Sequence, residues 1–211
     1  MRRAVIVSGG SVSPSMKNLI QPNDLLIGAD RGALWLIEQG YKPEIAIGDF
    51  DSVLPEQMES IRERSGRLVE CDPVWKDYTD TEMAFETALS IGPSSIMMLG
   101  VLGTRLDHSL ANIHLLKKAL EAEIPCKITD EHNQIQLTRG MLRISQDGYK
   151  YVTLLPLTTK VTGITLTGFK YPLNDAEIEM GQSIGVSNEL LEELGTINIR
   201  DGLLLVIQSK D

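Results

Sequence analysis

The sequence predicts an α/β domain built on a parallel sheet, followed by an all-β sandwich. Three observations carry that reading. Up to about residue 130, short continuous apolar runs alternate with segments of helical periodicity. Beyond that point the helical pattern largely vanishes and strand-like runs recur. Gly, Pro and Asn-Asp punctuate those later runs every ~8–12 residues, the spacing of a sandwich or barrel. Continuous apolar strands are buried on both faces, which requires helices on either side of a parallel sheet. The first part is therefore Rossmann-like. The boundary falls at Asp130, giving an α/β domain over 1–130 and a β-sandwich over 131–211.

The elements follow in order. Ala4-Val5-Ile6-Val7 is a buried strand ending at Ser8-Gly9-Gly10. Leu25-Leu26-Ile27 is a second, ending at Gly28-Ala29-Asp30, and Gly32 to Gln39 follows as a helix. Glu44 to Ile47 is a third strand and runs into Gly48-Asp49-Phe50-Asp51-Ser52. Pro55, suited to a first helical turn, opens a helix to Arg64, and Leu68-Val69 is a short strand. Thr79 and Glu82 match a capping box, which starts a helix running to about Ser90. Ser95 to Leu99 is a strand ending at Gly100. Asp107 to Glu121 is the strongest helix, with apolar positions at Leu110, Ile113, Leu116 and Leu120. In the second half Gln134 to Thr138, Met141 to Ser145, Tyr151 to Leu155, Val161 to Thr167, Gly181 to Ser187, Gly195 to Ile199 and Leu203 to Gln208 read as strands.

Composition removes several function classes. The chain has 211 residues, 42% of them hydrophobic, with 20 Lys+Arg against 29 Asp+Glu and a formal net charge of -9. A nucleic-acid binder needs a basic footprint, so none is expected here. No apolar run approaches the ~20 residues that span a bilayer, and the first apolar stretch is too short for an export signal. Two cysteines, Cys71 and Cys126, make neither a disulfide framework nor a zinc cluster. A reduced cytoplasmic setting is the expectation. Residues 1–130 hold 19 acids and 13 bases, and residues 131–211 hold 10 and 7, so bulk charge does not distinguish the halves.

Position distinguishes them. Open parallel sheets bind ligands outside the carboxyl ends of their strands. Here those ends deliver Gly9 and Gly10, Asp30, the pair Asp49 and Asp51, then Asp72, Asp77 and Asp80, and finally Gly100, Gly103, Arg105 and Asp107. Two carboxylates at i and i+2 after a buried strand repel, and a divalent cation relieves that repulsion. Hard oxygen donors beside phosphate favour magnesium. Gly-Asp-x-Asp-Ser is equally the composition of an ordinary polar turn, and acids at the start of the Asp80 helix also stabilise its dipole. Glycines between a strand and a helix let backbone amides approach phosphate, and Arg105 offers a fork to it. Neither a Walker A sequence nor a Gly-x-Ser-x-Gly elbow is present. His132 receives no role.

Six segments together resemble the thiamine pyrophosphokinase family, whose members move a pyrophosphoryl group from ATP to thiamine. They are Gly28-Ala29-Asp30, Gly48-Asp49-Phe50-Asp51-Ser52, Asp77-Tyr78-Thr79-Asp80, Gly103-Thr104-Arg105-Leu106-Asp107-His108, Thr167-Gly168-Phe169-Lys170-Tyr171-Pro172-Leu173 and Gly185-Val186-Ser187-Asn188-Glu189. The resemblance covers nearly the whole chain. It implies a catalytic, nucleotide-binding first domain and a thiamine-binding second one. It implies that Asp49, Asp51 and Asp80 hold Mg2+ and phosphate, that Arg105, Asp107 and His108 help hold the nucleotide, and that Tyr171, Ser187 and Asn188 lie near thiamine. It also implies a homodimer whose thiamine site is completed across the interface. Arg31 stands where some members have glycine and is assigned no role; Tyr171 stands where some have tryptophan.

The expected reaction is in-line attack of the thiamine hydroxyl on the β-phosphorus of MgATP, with AMP leaving. Asp77 or one of the clustered acids would take the proton, and positioning and electrostatics would supply most of the rate. Gly9, Gly10, Asp30, Gly100 and Gly103 complete the expected nucleotide site. Two alternatives use the same acids: another metal-dependent nucleotide phosphotransferase or hydrolase, and a non-catalytic nucleotide- or thiamine-binding sensor.

Overall fold

A strand whose side chains are all apolar, as in Ala4–Val7, can be stable only between two covering layers. In the structure, a computed structural model describing residues 1–70 and 77–211, every residue of that strand is buried. Cys71 and Asp72 lie outside the described residues. The chain separates into two compact units, Met1–Glu131 and His132–Asp211.

Among the described residues the first unit carries six parallel strands: β1 (Ala4–Val7), β2 (Leu25–Ala29), β3 (Ile45–Gly48), β4 (Arg67–Glu70), β5 (Ile96–Leu99) and β6 (Cys126–Thr129). Their order is β4-β3-β2-β1-β5-β6. The sheet grows outward from β1 through β2, β3 and β4, then returns to β1's other side for β5. The helices α1 (Arg31–Glu38), α2 (Pro55–Arg64), α3 (Asp80–Ile91) and α4 (Leu106–Glu121) accompany it. Val5, Val7, Leu26, Met97 and Leu99 pack with Trp35 and Leu36 of α1 and with Met16 and Ile20 around a short 3-10 helix, Pro14–Leu19. α3 packs against β1, β2 and β3, and α4 packs against β6.

The second unit is all β. β7 (Asn133–Thr138), β13 (Leu204–Ser209) and β9 (Tyr151–Pro156) form one antiparallel set. β11 (Ala176–Glu179), β10 (Lys160–Thr167), β12 (Leu194–Asn198) and β8 (Leu142–Ser145) form a second, antiparallel sheet. Val152, Leu154, Leu204 and Val206 from the first set share one core with Ile144, Val161, Ile164, Leu166, Ile178 and Ile197 from the second. That shared core makes the unit a sandwich.

Three expectations are corrected. Gly181–Ser187 is not a strand: Gly181 at φ 95 and Ser187 at φ 58 break extended geometry, and the strand is Ala176–Glu179 instead. The buried stripe of α4 is Ser109, Asn112, Leu115, Leu116 and Ala119, while Leu110 is exposed. A stripe chosen by hydrophobicity alone missed it because two of the inward positions are polar. The α3 box is half formed. Thr79 Oγ1 accepts from the Glu82 amide at 3.2 Å, but the Glu82 carboxylate bonds Lys118. The β6 strand and the 3-10 helix were not anticipated.

Gly32 shows how tightly α1 seats on β1: a Cβ there would lie 2.0 Å from the Val7 carbonyl oxygen. Glycine to alanine inside a helix ordinarily stabilises by ~1 kcal/mol. Gly32→Ala is expected to do the opposite and lower Tm by several degrees. Gly140→Ala, with open space around it, is expected to leave Tm unchanged. Thermal denaturation followed by circular dichroism compares the two.

Candidate active site

β1 has β2 on one side and β5 on the other, so the strand order reverses between β1 and β5. Loops leaving the sheet at such a point open a crevice. A cavity of about 320 Å³ lies there within the first unit. Its walls are Ser8–Gly10 after β1, Ala29 and Asp30 at the end of β2, Thr79–Thr81 at the start of α3, Gly100–Arg105 after β5, and His108, Ser109 and Asn112 on α4.

The acids expected at strand ends act on one another. Burial pushes the Asp80 carboxyl up, the charges of Asp49, Asp30 and Asp51 push it further, and it titrates at about 6. A hydrogen bond from the Asp49 backbone amide opposes the rise, and no cation figures among the causes. Asp30 stands at φ 50, ψ -123, a conformation costly for a residue with a Cβ. Its Oδ2 accepts from Ser52 Oγ at 2.5 Å, while its Oδ1 is buried with no partner. Asp49 Oδ1 accepts from the Asp51 amide at 3.2 Å, which closes the turn carrying both acids. Asp77 is exposed just before α3, and neither it nor Asp49, Asp51 or Asp107 is among the residues walling the cleft, whereas Asp30 and Asp80 are.

Among the described residues, no group of three His, Cys, Asp or Glu side chains stands in metal-holding geometry. Two observations still fit a hard cation: the orphaned Asp30 oxygen, and the carboxylate charges that add to burial in raising Asp80. Magnesium is usually held by one or two carboxylates and completed by substrate phosphate oxygens, so a preformed all-protein cage is not required. Oxygens of Asp49, Asp51 and Asp80 could supply the protein's share.

The glycines serve close packing more than amide donation. The Gly10 amide donates to the Gly100 carbonyl at 2.7 Å, that of Ser11 to Leu102 at 2.8 Å, and that of Gly103 to Ser109 Oγ at 3.1 Å. A Cβ on Gly10 would meet the Gly100 and Leu102 carbonyl oxygens at 2.5 Å, and one on Gly100, at φ 63, would meet the Ser8 carbonyl at 2.4 Å. The loops after β1 and β5 are thus zipped together. Arg105 is likewise engaged: its fork holds Asp107 at 2.5 and 3.3 Å, which keeps the Asp107 carboxyl below the usual carboxylate range. Burial pushes the Cys126 thiol up to about 12, leaving it inert.

Several residues that sequence reasoning passed over hold this site together. Buried Ser8 bonds Thr81 Oγ1 at 2.9 Å, tying the β1 loop to the first turn of α3. Lys118 of α4 reaches back to Glu82 and Glu86 of α3, at 2.7 and 2.5 Å, and lies 5.5 Å from the Tyr78 ring centre. Ser109 Oγ also reaches the Arg105 carbonyl at 3.1 Å, and Asn112 Nδ2 donates to the Val101 carbonyl at 2.7 Å. The legible signal was a pair of polar residues at i and i+3 inside a helix.

In the second unit, Tyr171, Ser187 and Asn188 come together. Asn188 is buried and its amide is committed to Tyr171: Oδ1 accepts from the Tyr171 amide at 3.1 Å and Nδ2 donates to its carbonyl at 2.7 Å. Tyr171 itself is 58% exposed, with Lys170 Nζ 5.5 Å from its ring centre. Asn188 therefore fixes the backbone that carries the exposed aromatic ring. The Ser187 amide donates to Thr153 Oγ1 at 3.1 Å.

Comparison with known proteins matches this geometry to one family. The family model described as "Thiamin pyrophosphokinase, catalytic domain" matches residues 16–128, and "Thiamin pyrophosphokinase, vitamin B1 binding domain" matches residues 133–204. Thiamine pyrophosphokinase of Bacillus subtilis is 35% identical over 215 residues, covering 100% of both chains. The crystal structure of a thiamine pyrophosphokinase from the same species superposes with a TM-score of 0.93 at 33% identity, covering 100% of both chains. That of a thiamin pyrophosphokinase from Geobacillus thermodenitrificans gives 0.89 at 33% identity, covering 99% of this chain and 98% of the other.

Asp80 makes stability depend on pH. The native carboxyl keeps its proton to about pH 6, whereas an unfolded aspartate loses it near ~4. The native state therefore binds more protons in that window, and this contribution to stability falls as pH rises through it. Asp80→Asn is expected to be more stable than wild type at pH 7 and equal to it at pH 4, with solvent screening of the half-exposed carboxyl reducing the difference. Urea unfolding without divalent cation at the two pH values measures the difference. Asn188→Ala is expected to lower stability by about 1–3 kcal/mol, since it leaves buried backbone groups of Tyr171 unpaired.

Proposed function

This chain belongs to the thiamin pyrophosphokinase family, and from that premise we propose that its pyrophosphotransfer to thiamine takes place at the cleft between β1 and β5, with ATP as donor and Mg2+ as cofactor. The enzyme is a pyrophosphotransferase. In the proposed reaction the hydroxyethyl oxygen of thiamine bonds to the β-phosphorus, the bridge between α- and β-phosphorus breaks, and AMP departs with that bridging oxygen. The hydroxyl proton passes to Asp77 or to a carboxylate of the cluster. Asp49, Asp51 and Asp80 would hold the magnesium ion, which when bound neutralises phosphate charge. The remaining work is positioning by this chain's own residues.

The observation that carries the reading is the convergence of Asp30, Asp49 and Asp51 on Asp80, where burial first and their charges second raise the carboxyl to about 6. Carboxylates crowded in this way are costly in a protein that leaves them without a cation. Thiamine is itself a cation, and the exposed face of Tyr171 suits it at ~0.5–2 kcal/mol. A homodimer that brings the second unit of one protomer to the first unit of its partner would cover Tyr171, Ile184, Leu191 and Leu194, large apolar side chains that are exposed in the single chain. Among the described residues no helix is long and apolar enough to cross a membrane. A cytoplasmic setting fits the thiol chemistry expected of its cysteines.

Incubation with MgATP and thiamine is expected to yield AMP and thiamine diphosphate in equal amounts. ADP released without thiamine would mark a hydrolase instead, and ligand binding without AMP would mark a sensor. Asp51→Ala is expected to lower turnover at least about a hundredfold while retaining the native circular dichroism spectrum. Chelation of divalent cations should abolish turnover, and Mg2+ should restore it.

A further inference from the structure

Arg31 is the first residue of α1, and it is exposed. The close contact of Gly32 with Val7 fixes the start of that helix against the end of β1. The Arg31 stem consequently stands over Gly9: a Cβ built on Gly9 would lie 3.1 Å from Arg31 Cβ and 3.8 Å from its Cγ. Gly9 walls the cleft, together with Ser8, Gly10 and Asp30. The arginine therefore rises from the rim of the site already described.

Its guanidinium has no task in the fold. Among the described residues no hydrogen bond or ion pair engages it, in contrast to Arg105 across the cleft, which is bound to Asp107. Its location is unfavourable as well. A cation in the first turn opposes the helix dipole, and α1 has no acid in that turn to compensate. An unpaired arginine kept at a position that costs stability calls for a ligand. The planar fork matches phosphate oxygens, which an acid-lined cleft would otherwise repel.

We propose that Arg31 is a specificity-determining residue for the phosphoryl donor, its guanidinium binding non-bridging oxygens of the donor's polyphosphate chain above Gly9. The inference rests on the reading that this cleft takes the donor. It excludes the other substrate as the partner of Arg31, because thiamine is a cation.

The test compares wild type with Arg31→Ala and Arg31→Lys. It measures KM for ATP, KM for thiamine, inhibition by inorganic tripolyphosphate and by adenosine, and Tm. Arg31→Ala is expected to raise KM for ATP and the inhibition constant of tripolyphosphate about ten- to a hundredfold. KM for thiamine and inhibition by adenosine should not change, and Tm should be equal or higher. Arg31→Lys should recover part of the loss by restoring charge without the fork. Unchanged ATP and tripolyphosphate constants in Arg31→Ala would overturn the assignment while leaving the donor site in place. A parallel rise in the thiamine and adenosine constants would also overturn it, by showing general distortion. If wild type neither forms AMP nor binds tripolyphosphate, the donor-site reading falls and this inference falls with it.

Discussion

Electrostatic repulsion among four carboxylates is the constraint on which the rest of the first unit depends. Asp30, Asp49, Asp51 and Asp80 come from three separate segments, and their charges act together on Asp80. Left to itself, a chain would relax such an arrangement by letting loops move apart. The fold prevents this by placing the acids at the ends of parallel strands and at the first turn of a helix packed across them. The stored repulsion is what a divalent cation would relieve on binding.

Holding the acids in place requires contacts with no chemistry of their own. Backbone approaches at Gly10 and Gly100 lock the loops after β1 and β5 against each other, and any side chain there would collide with carbonyl oxygens. Ser8 and Thr81 tie the same loop to α3, and Lys118 anchors the outer side of α3 through Glu82 and Glu86. Asn188 plays the matching part in the second unit, where its amide spans the backbone of Tyr171.

Much of this was legible in the sequence. Five short apolar runs marked five of the six parallel strands described, because a strand buried on both faces needs no polar alternation. The acids and glycines at strand ends were readable since a parallel sheet gathers those ends in one place. Where pattern misled, the reasons are local. The α4 stripe was placed on Leu110 and Ile113, yet the helix turns Ser109 and Asn112 inward to bond the Val101–Arg105 loop. The run from Gly181 to Ser187 has strand-like composition, but positive φ at both ends closes it into turns. Backbone amides at Gly10 and Gly103 looked available to phosphate and are spent within the protein.

The sequence by itself determined the two-part architecture, the acids at the strand ends and the family, because burial periodicity and residue order are properties of the chain. Only the tertiary structure decided which groups are free. Among the described residues Arg105 is paired and Arg31 is not, Asn188 is committed to the backbone of an exposed Tyr171, and one oxygen of Asp30 is left without a partner. Availability depends on distances between residues far apart in the chain, and spacing along the sequence carries no record of them.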